Sequence, residues 1–169
     1  MGNRRQDTSE HFTKLIRRTM ETPAWRALSP SAQSLYPWVK LEWRGNGANN
    51  NGKLRLSVRQ AAERLGCTRD AAARAFHDLQ KKVFLVVTQP AQLGVGGEAK
   101  SPAFEVTELA LPGSHTPRKL FLQWSAEAEF GITKSIANNP KGRNGKTKSR
   151  HENQDSNVIK IMTGCGKPS

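Results

Sequence analysis

The chain of 169 residues is poor in cysteine, in long apolar runs and in acidic side chains. Its two cysteines, Cys67 and Cys165, stand alone in the sequence, which argues against a disulfide framework and against a metal site built on paired cysteines. No run approaches the ~18 apolar residues of a membrane span, so we expect no membrane partner. The first residues, MGNRRQDTSEHF, have no apolar core of the kind found in secretion signals, and we expect a cytoplasmic protein.

The shortage of acidic side chains leaves a large positive charge. The chain has 27 Lys and Arg against 14 Asp and Glu, a formal net charge of +13. Counted from the sequence, 19 basic and 12 acidic residues in 1–133 leave a surplus of 7, and 8 basic and 2 acidic residues in 134–169 leave a surplus of 6. A surplus of this size favours a polyanionic partner such as nucleic acid.

The sequence also lacks the motifs of common enzymes. The four histidines have no partner at i+4 for a metal, and no nucleophile elbow or phosphate-loop lysine is present. The glycines of 94–99 fit a dinucleotide fingerprint, but Pro102 and a strand-like segment follow where that fingerprint needs a helix. We therefore expect no catalytic residues, no metal, no cofactor and no enzymatic activity.

The most informative segment is LSVRQAAERLGCTRDAAARAFHDLQKKVFLVV, residues 56–87. Ser57 followed by Gln60 forms a capping-box pattern for a first helix, and Gly66 suits the left-handed residue that ends it. Thr68 can cap a second helix. The apolar residues of that second helix share one face: Ala72, Ala75, Phe76 and Leu79. Two short capped helices joined by a glycine turn predict a helix-turn-helix.

The opposite face of the second helix is polar and mostly basic. It contains Arg69, Asp70, Ala73, Arg74, His77 and Lys81. A recognition helix reads the major groove of DNA with its N-terminal part, so these residues are candidates for reading bases. Arg69 and Arg74 are suited to bidentate contacts with guanine. The alternative interpretation is an ordinary amphipathic helix with a solvated basic face.

Strand patterns follow the second helix. FLVVT at 84–88 and FEVT at 104–107 read as strands, and QPAQLGVGGEAKSPA between them reads as a flexible hairpin tip, or wing. KLRL at 53–56 can supply a third strand. Backbone and wing contacts to DNA are expected from five residues. They are Ser57, Arg59, Thr68, Gln92 and Lys100.

Together these segments resemble the winged helix-turn-helix superfamily. The resemblance also rests on FTKLIRRTMETPAWRALSPSAQSLY, GNGANNNG and KLFLQW, and it covers residues 12–124. More narrowly, the chain is similar to small winged-helix proteins of bacterial chromosomes and mobile elements, to plasmid replication-protein N-domains and to GntR- and MarR-type DNA-binding domains. The resemblance implies an α+β fold: a three-helix core with a small antiparallel sheet and wing, preceded by an N-terminal helix and followed by a disordered tail.

The function implied by the resemblance is binding of double-stranded DNA, used in transcription regulation. Two alternatives stay open. The chain could be a replication or packaging component of a phage or plasmid, in which the winged helix contacts DNA and protein. It could also be a protein-interaction winged helix that binds no DNA, although the basic residues of the second helix argue against this.

The chain divides into three regions by composition. Residues 1–9 are expected to be disordered, 10–130 to form the DNA-binding domain, and 131–169 to be a basic disordered tail. Within the tail, VIKIM at 158–162 could dock on a protein partner or on a second subunit of a homodimer.

The N-terminal part of the domain predicts three helices and an aromatic core. EHFTKLIRRTM at 10–20 predicts a first helix, and Thr22-Pro23 and Ser29-Pro30 predict two further helix starts. Pro37 is expected to kink or break the third helix. Core packing is expected of Trp25, Trp38 and Trp43, and KLFLQW at 119–124 is expected to dock back on the domain.

Overall fold

The computed structural model describes residues 11–93, 100–134 and 136–137, and within these residues the fold is mixed α+β. The α-helices are α1 (Arg17–Met20), α2 (Pro23–Arg26), α3 (Pro30–Leu41), α4 (Val58–Leu65) and α5 (Arg69–Lys81). The strands are β1 (Leu54–Arg55), β2 (Leu85–Gln89), β3 (Gln92–Leu93), β4 (Ala103–Val106) and β5 (Ile136–Ala137). The described helices are all too short or too polar to cross a membrane.

Helix α3 begins where the sequence predicts. The Ser29 side chain accepts a hydrogen bond from the Ala32 amide at 3.3 Å, and Pro30 occupies the first helical position. The helix then runs unbroken through Pro37 to Leu41. Proline has no backbone N–H, so one hydrogen bond of the helix is missing at Pro37. The helix is not interrupted there, because the apolar residues before and after Pro37 remain packed in the core.

The main sheet has three antiparallel strands in the order β1-β4-β2. Leu54 faces Phe104 across one pair, and Leu85 faces Val106 across the other. Both longer strands were predicted, and each lies within one residue of its predicted start. The sheet packs against α5, where the ring of Phe76 stacks on Phe104 with 5.2 Å between centroids.

A second, smaller sheet lies beyond β2. Strand β3 pairs in parallel with β5, and Gln92 also forms an antiparallel bridge with Lys100. The predicted hairpin tip at 94–99 lies outside the described residues. The C-terminal segment therefore adds a strand beside the hairpin that the sequence predicted as a wing.

Aromatic side chains join the helices to the sheet. Phe84 meets Trp25 and Tyr36 edge to face, and Phe121 stacks on Phe84 at 4.7 Å. The predicted docking of residues 119–124 is thereby confirmed, since Phe121 is buried. Trp38 departs from its prediction: the residue is 37% exposed, and its ring lies beneath the Arg64 guanidinium instead of in the core.

One cluster of polar side chains is fully buried; we call it the Glu108 cluster. Glu108 accepts hydrogen bonds from the Lys40 ammonium (2.6 Å), the Tyr36 hydroxyl (3.0 Å) and the Thr19 hydroxyl. Burial, and then the neighbouring Glu108 charge, raise the pKa of Tyr36 well above its ordinary value, so this hydroxyl stays protonated and donates. The cluster ties α1, α3 and the turn after β4 together.

The predicted N-terminal helix is much shorter than expected. Only Arg17–Met20 is helical, and residues 11–16 are not. The physical reason is the Lys14 carbonyl, which accepts a hydrogen bond from the Lys40 ammonium at 2.6 Å instead of from a helical amide. Phe12, Leu15 and Ile16, the expected apolar face of that helix, are consequently exposed.

The predicted terminal regions fall largely beyond the described part of the chain. Residues 1–9 and the VIKIM segment at 158–162 lie outside it. The tail was predicted to begin at 131, but the Thr133 amide still donates to the Gln80 side chain on α5, at 3.1 Å. The chain thus stays in contact with α5 past the predicted boundary.

Candidate nucleic-acid interface

Local hydrogen bonds fix the orientation of α5 relative to α4. Ser57 and Gln60 form the complete capping box, and Gly66 ends α4 in the left-handed conformation at φ 62°. The Thr68 hydroxyl then accepts from the Ala71 amide at 3.2 Å and starts α5. All of these caps were predicted from the sequence. They hold the two helices in a turn of three residues, Gly66–Thr68.

Small side chains allow the two helices to cross closely. Ala61 and Ala62 of α4 are buried, as are Ala72 and Ala75 of α5. The apolar stripe of α5 therefore faces α3, α4 and the sheet, as the sequence predicts. The other side of α5 is left facing solvent.

That solvent-facing side carries most of the predicted base-reading residues. At about 100° per residue, Arg69 and Arg74 flank this face, and Ala73 and His77 lie between them. Arg69, Asp70, Arg74 and His77 are exposed, whereas Ala73 is half-buried. The structure thus brings five of the six predicted residues together on one continuous convex surface, which we call the outer face of α5.

The two arginines of the outer face carry charge that the described fold does not use. Within the described residues, neither Arg69 nor Arg74 forms an ion pair. Asp70 lies in the first turn of α5, where a negative charge is favourable for the helix dipole. Both guanidinium groups are available to an anionic or hydrogen-bond-accepting ligand.

Lys81, the sixth predicted base-reading residue, is engaged elsewhere. Its ammonium lies 2.9 Å from a Glu129 carboxylate oxygen. This hydrogen bond, and then the charge of the partner, raise the pKa of Lys81 and lower the pKa of Glu129. Sequence reasoning missed the contact because Glu129 lies 48 residues further along the chain, with no local pattern to connect the two.

Glu129 belongs to a segment that closes the C-terminal end of α5; we call residues 129–134 the strap. The Phe130 amide donates to the Lys81 carbonyl at 3.0 Å, and the Thr133 amide donates to the Gln80 side chain. The strap satisfies hydrogen-bonding groups at the helix end that would otherwise need water. It leaves the first turns of α5 uncovered.

The predicted backbone-contact residues divide into two groups. The hydroxyls of Ser57 and Thr68 already accept hydrogen bonds from helix amides, so their structural role is capping. Arg59, Gln92 and Lys100 are exposed. The Arg59 guanidinium lies 3.9 Å from a Glu63 carboxylate oxygen, a loose contact between two exposed side chains.

Two shallow grooves border the outer face. One of about 650 Å³ separates α5 from the start of α3, with Arg74 and His77 on one wall and Ser29 and Ser31 on the other. A second of about 380 Å³ separates α5 from strands β2 and β4, with Ala73 and His77 on one wall and Pro102 and Lys134 on the other. The outer face is therefore a ridge, with space on both sides.

Potential metal ligands and the cysteine of the turn were also located in the described part of the chain. No group of three or more potential metal ligands occurs among them. Cys67, in the turn before α5, is half-buried against the core, and its thiol points to the Thr68 carbonyl at 3.5 Å.

Comparison of the chain with protein-family models, with curated proteins and with solved structures found no match.

Proposed function

We propose that the chain is a winged-helix protein that binds double-stranded DNA, with the outer face of α5 in the major groove. The order of elements supports the fold. Helix α3, strand β1, helices α4 and α5, and then the β2–β4 hairpin follow one another, and β4 lies between β1 and β2 in the sheet. Three helices combined with a three-stranded antiparallel sheet support the proposal of a winged-helix fold.

The observation that carries the functional proposal is that the two arginines on the first two turns of α5 form no ion pair with any residue of the described part of the chain. A major groove about 12 Å wide admits an α-helix, and arginine donates two hydrogen bonds to the O6 and N7 atoms of guanine. Arg69 and Arg74 lie at the two edges of the ridge, so each can address a different base step. Ala73 between them is small enough for close approach and suits contact with a thymine methyl group.

Other exposed cations contribute contacts with phosphates. Arg59 lies beside the turn that precedes α5, and Lys100 lies at the base of the hairpin. Phosphates of both strands border the major groove, so cations on both sides of the ridge can contact the two backbones of a duplex. We propose that this binding serves transcription regulation, in which a bound protein controls access to a promoter.

Selection from a random pool of duplexes by the full chain tests the proposal directly. We expect recovery of a preferred sequence containing guanine at two positions. The double variant Arg69→Ala/Arg74→Ala should bind that sequence more weakly than the unmodified chain does, by about 1–3 kcal/mol for each lost guanine contact. The variant should also bind scrambled duplexes almost as tightly as it binds the selected sequence. Its free energy of unfolding should remain unchanged, because neither side chain is part of the core.

A charge-matched control separates base reading from the loss of two positive charges. Arg18 and Arg44 are exposed and line grooves beside the N-terminal segment, away from α5. Arg18→Ala/Arg44→Ala should keep the sequence preference. If the full chain ignores duplexes at low salt, or if the Arg69/Arg74 variant retains the preference of the unmodified chain, the proposal is wrong.

A further inference from the structure

The segment that precedes α1 leaves large apolar side chains on the surface. Phe12 is 75% exposed, and Leu15 and Ile16 are each 47% exposed. The segment is tied to α3 by the hydrogen bond from the Lys40 ammonium to the Lys14 carbonyl at 2.6 Å, so these side chains have a defined place beside the domain. Apolar side chains that cluster on a surface, instead of being scattered singly, mark sites of interaction.

Ile16 lies between two grooves. The first, of about 590 Å³, is lined by Phe12 and Ile16 together with Trp43 and Leu109. The second, of about 380 Å³, extends from Ile16 to Leu122, which is itself 62% exposed. Because Ile16 borders both grooves, they form one continuous surface. We call this surface, made of the residues that line the two grooves, the N-terminal patch.

The rim of the N-terminal patch is positively charged. Four exposed cations line its grooves: Lys14, Arg18, Arg44 and Lys119. None of these four forms an ion pair with another described residue. The carboxylate of Glu21, which also lines the second groove, is engaged by Arg17 at 2.8 Å. A ligand therefore meets apolar grooves that are bordered by positive charge.

We propose that the N-terminal patch binds an acidic amphipathic segment of another protein. The apolar side chains of that segment fill the two grooves, and its carboxylates pair with the four cations. Charge complementarity of this kind selects acidic partners and rejects basic ones. The proposal does not rest on DNA binding, since none of the residues of the outer face of α5 lines either groove.

Two other occupants fit the N-terminal patch less well. A second copy of the chain, bound through the same patch in a symmetric dimer, would place the four cations against four more of the same sign. An anionic bilayer attracts basic surfaces with apolar side chains, but it offers no side chains that fill two grooves. An acidic amphipathic peptide satisfies both the charge and the shape.

Selection of peptides by the full chain tests the proposal, from a displayed library of random peptides of about 16 residues, or roughly four turns when helical. We expect the recovered peptides to combine Asp or Glu with Leu, Phe or Trp. A synthetic copy of one recovered peptide should bind Phe12→Ser/Ile16→Ser more weakly than the unmodified chain by about tenfold or more, because the burial of two large apolar side chains is lost. Arg18→Ala/Arg44→Ala should bind the peptide roughly threefold to tenfold more weakly at low salt.

Matched controls separate the N-terminal patch from other exposed side chains. Phe130 is 39% exposed and lines neither groove, so Phe130→Ser should bind the peptide as tightly as the unmodified chain does. Arg69→Ala/Arg74→Ala removes two exposed cations outside the patch and should also leave peptide affinity unchanged. Each variant should keep the circular dichroism spectrum of the unmodified chain, because all the replaced side chains are exposed.

Three results would overturn the proposal. The first is recovery of no peptide, or of peptides that lack acidic residues. The second is a recovered peptide whose affinity is the same for Phe12→Ser/Ile16→Ser and for the unmodified chain. The third is a different occupant: a dimer of the full chain in analytical ultracentrifugation, or binding of the full chain to phosphatidylglycerol vesicles, that the same double variant abolishes. None of these results bears on duplex binding by α5, so the proposed function is tested separately.

Discussion

The Glu108 cluster and the outer face of α5 both contain charged side chains, but the charges are buried and paired in the cluster and exposed on the helix. In the cluster, the charges of Lys40 and Glu108 are buried at 4% and 2% exposure and face each other at 2.6 Å. On α5, Arg69 and Arg74 are exposed, without an ion pair in the described structure. The first arrangement holds the fold together, and the second leaves its charge for a ligand.

This contrast separates stability from binding in a way that substitutions can measure. A buried charge without its partner is costly, because desolvation is no longer offset. An exposed charge that is removed changes stability little, yet it changes affinity for any anion that it contacts. Variants of the cluster should therefore alter unfolding, whereas variants of the outer face should alter duplex binding.

The largest effect on stability is expected at Lys40. Lys40→Met leaves Glu108 buried without its cation, and it also leaves the Lys14 carbonyl without its donor. The free energy of unfolding, measured by urea denaturation, should fall by about 3–5 kcal/mol. Duplex affinity should be unchanged at a temperature where the variant is folded, because α5 is not touched.

A second substitution checks that charge is the cause. Lys40→Met/Glu108→Gln removes both charges. The glutamine oxygen still accepts from one of the two hydroxyls, and its NH2 group can donate to the hydroxyl oxygen of the other, so the double variant should recover most of the lost stability. If the double variant is no more stable than Lys40→Met alone, lost packing of the lysine stem explains the effect better than an unpaired carboxylate does.

Some features were predictable because their determinants are close in sequence. The Ser57 and Thr68 hydroxyls accept hydrogen bonds from amides three residues further along the chain, and the Gly66 amide donates to the carbonyls of Ala62 and Glu63. The buried stripe of α5 follows helical spacing. The shortened N-terminal helix was not predictable in this way. Its cause is the contact of Lys14 with Lys40, 26 residues away, and Lys40 is held in turn by Glu108.

The same distinction applies to the candidate site. The exposure of Arg69 and Arg74 follows from which face of α5 is apolar, and it could be predicted locally. The engagement of Lys81 by Glu129 depends on a strap that returns to α5 after the whole sheet has formed. Helical periodicity could not identify Glu129 as the partner of Lys81, because nothing in the sequence distinguishes it from the other carboxylates.

A smaller effect on stability is expected at Ser57. The sequence predicted that this residue contacts phosphate, whereas in the structure its side chain caps α4. Ser57→Ala removes the acceptor for the Gln60 amide and should lower the free energy of unfolding by about 1 kcal/mol. Duplex affinity should stay within about twofold, since a hydroxyl committed to a helix amide adds little to phosphate binding.

Ser34→Ala is the matched control for this cap, because Ser34 is exposed within α3 and alanine is a good helix former. It should leave stability unchanged or slightly higher. A loss of tenfold or more in duplex affinity for a folded Ser57→Ala variant would restore Ser57 to the interface and weaken the separation between capping and binding.

The smallest effect concerns Asp78, a charged residue of α5 that faces the fold rather than solvent. Burial alone would raise its pKa, but hydrogen bonds from Lys82 and from the Ser29 amide (2.7 Å) outweigh burial and lower the pKa below its ordinary value of 3.8. A carboxylate with a lowered pKa in the folded state stabilises the fold above the unfolded value, and it loses this contribution as pH falls through the folded value. The free energy of unfolding of the unmodified chain should therefore decline more steeply below about pH 4 than that of Asp78→Asn. If the free energy of unfolding depends on pH in the same way for Asp78→Asn and for the unmodified chain, the Asp78 carboxylate does not stabilise the fold. The division of α5 into a face that stabilises the fold and a face that is free for a ligand would then be less sharp than the contacts indicate.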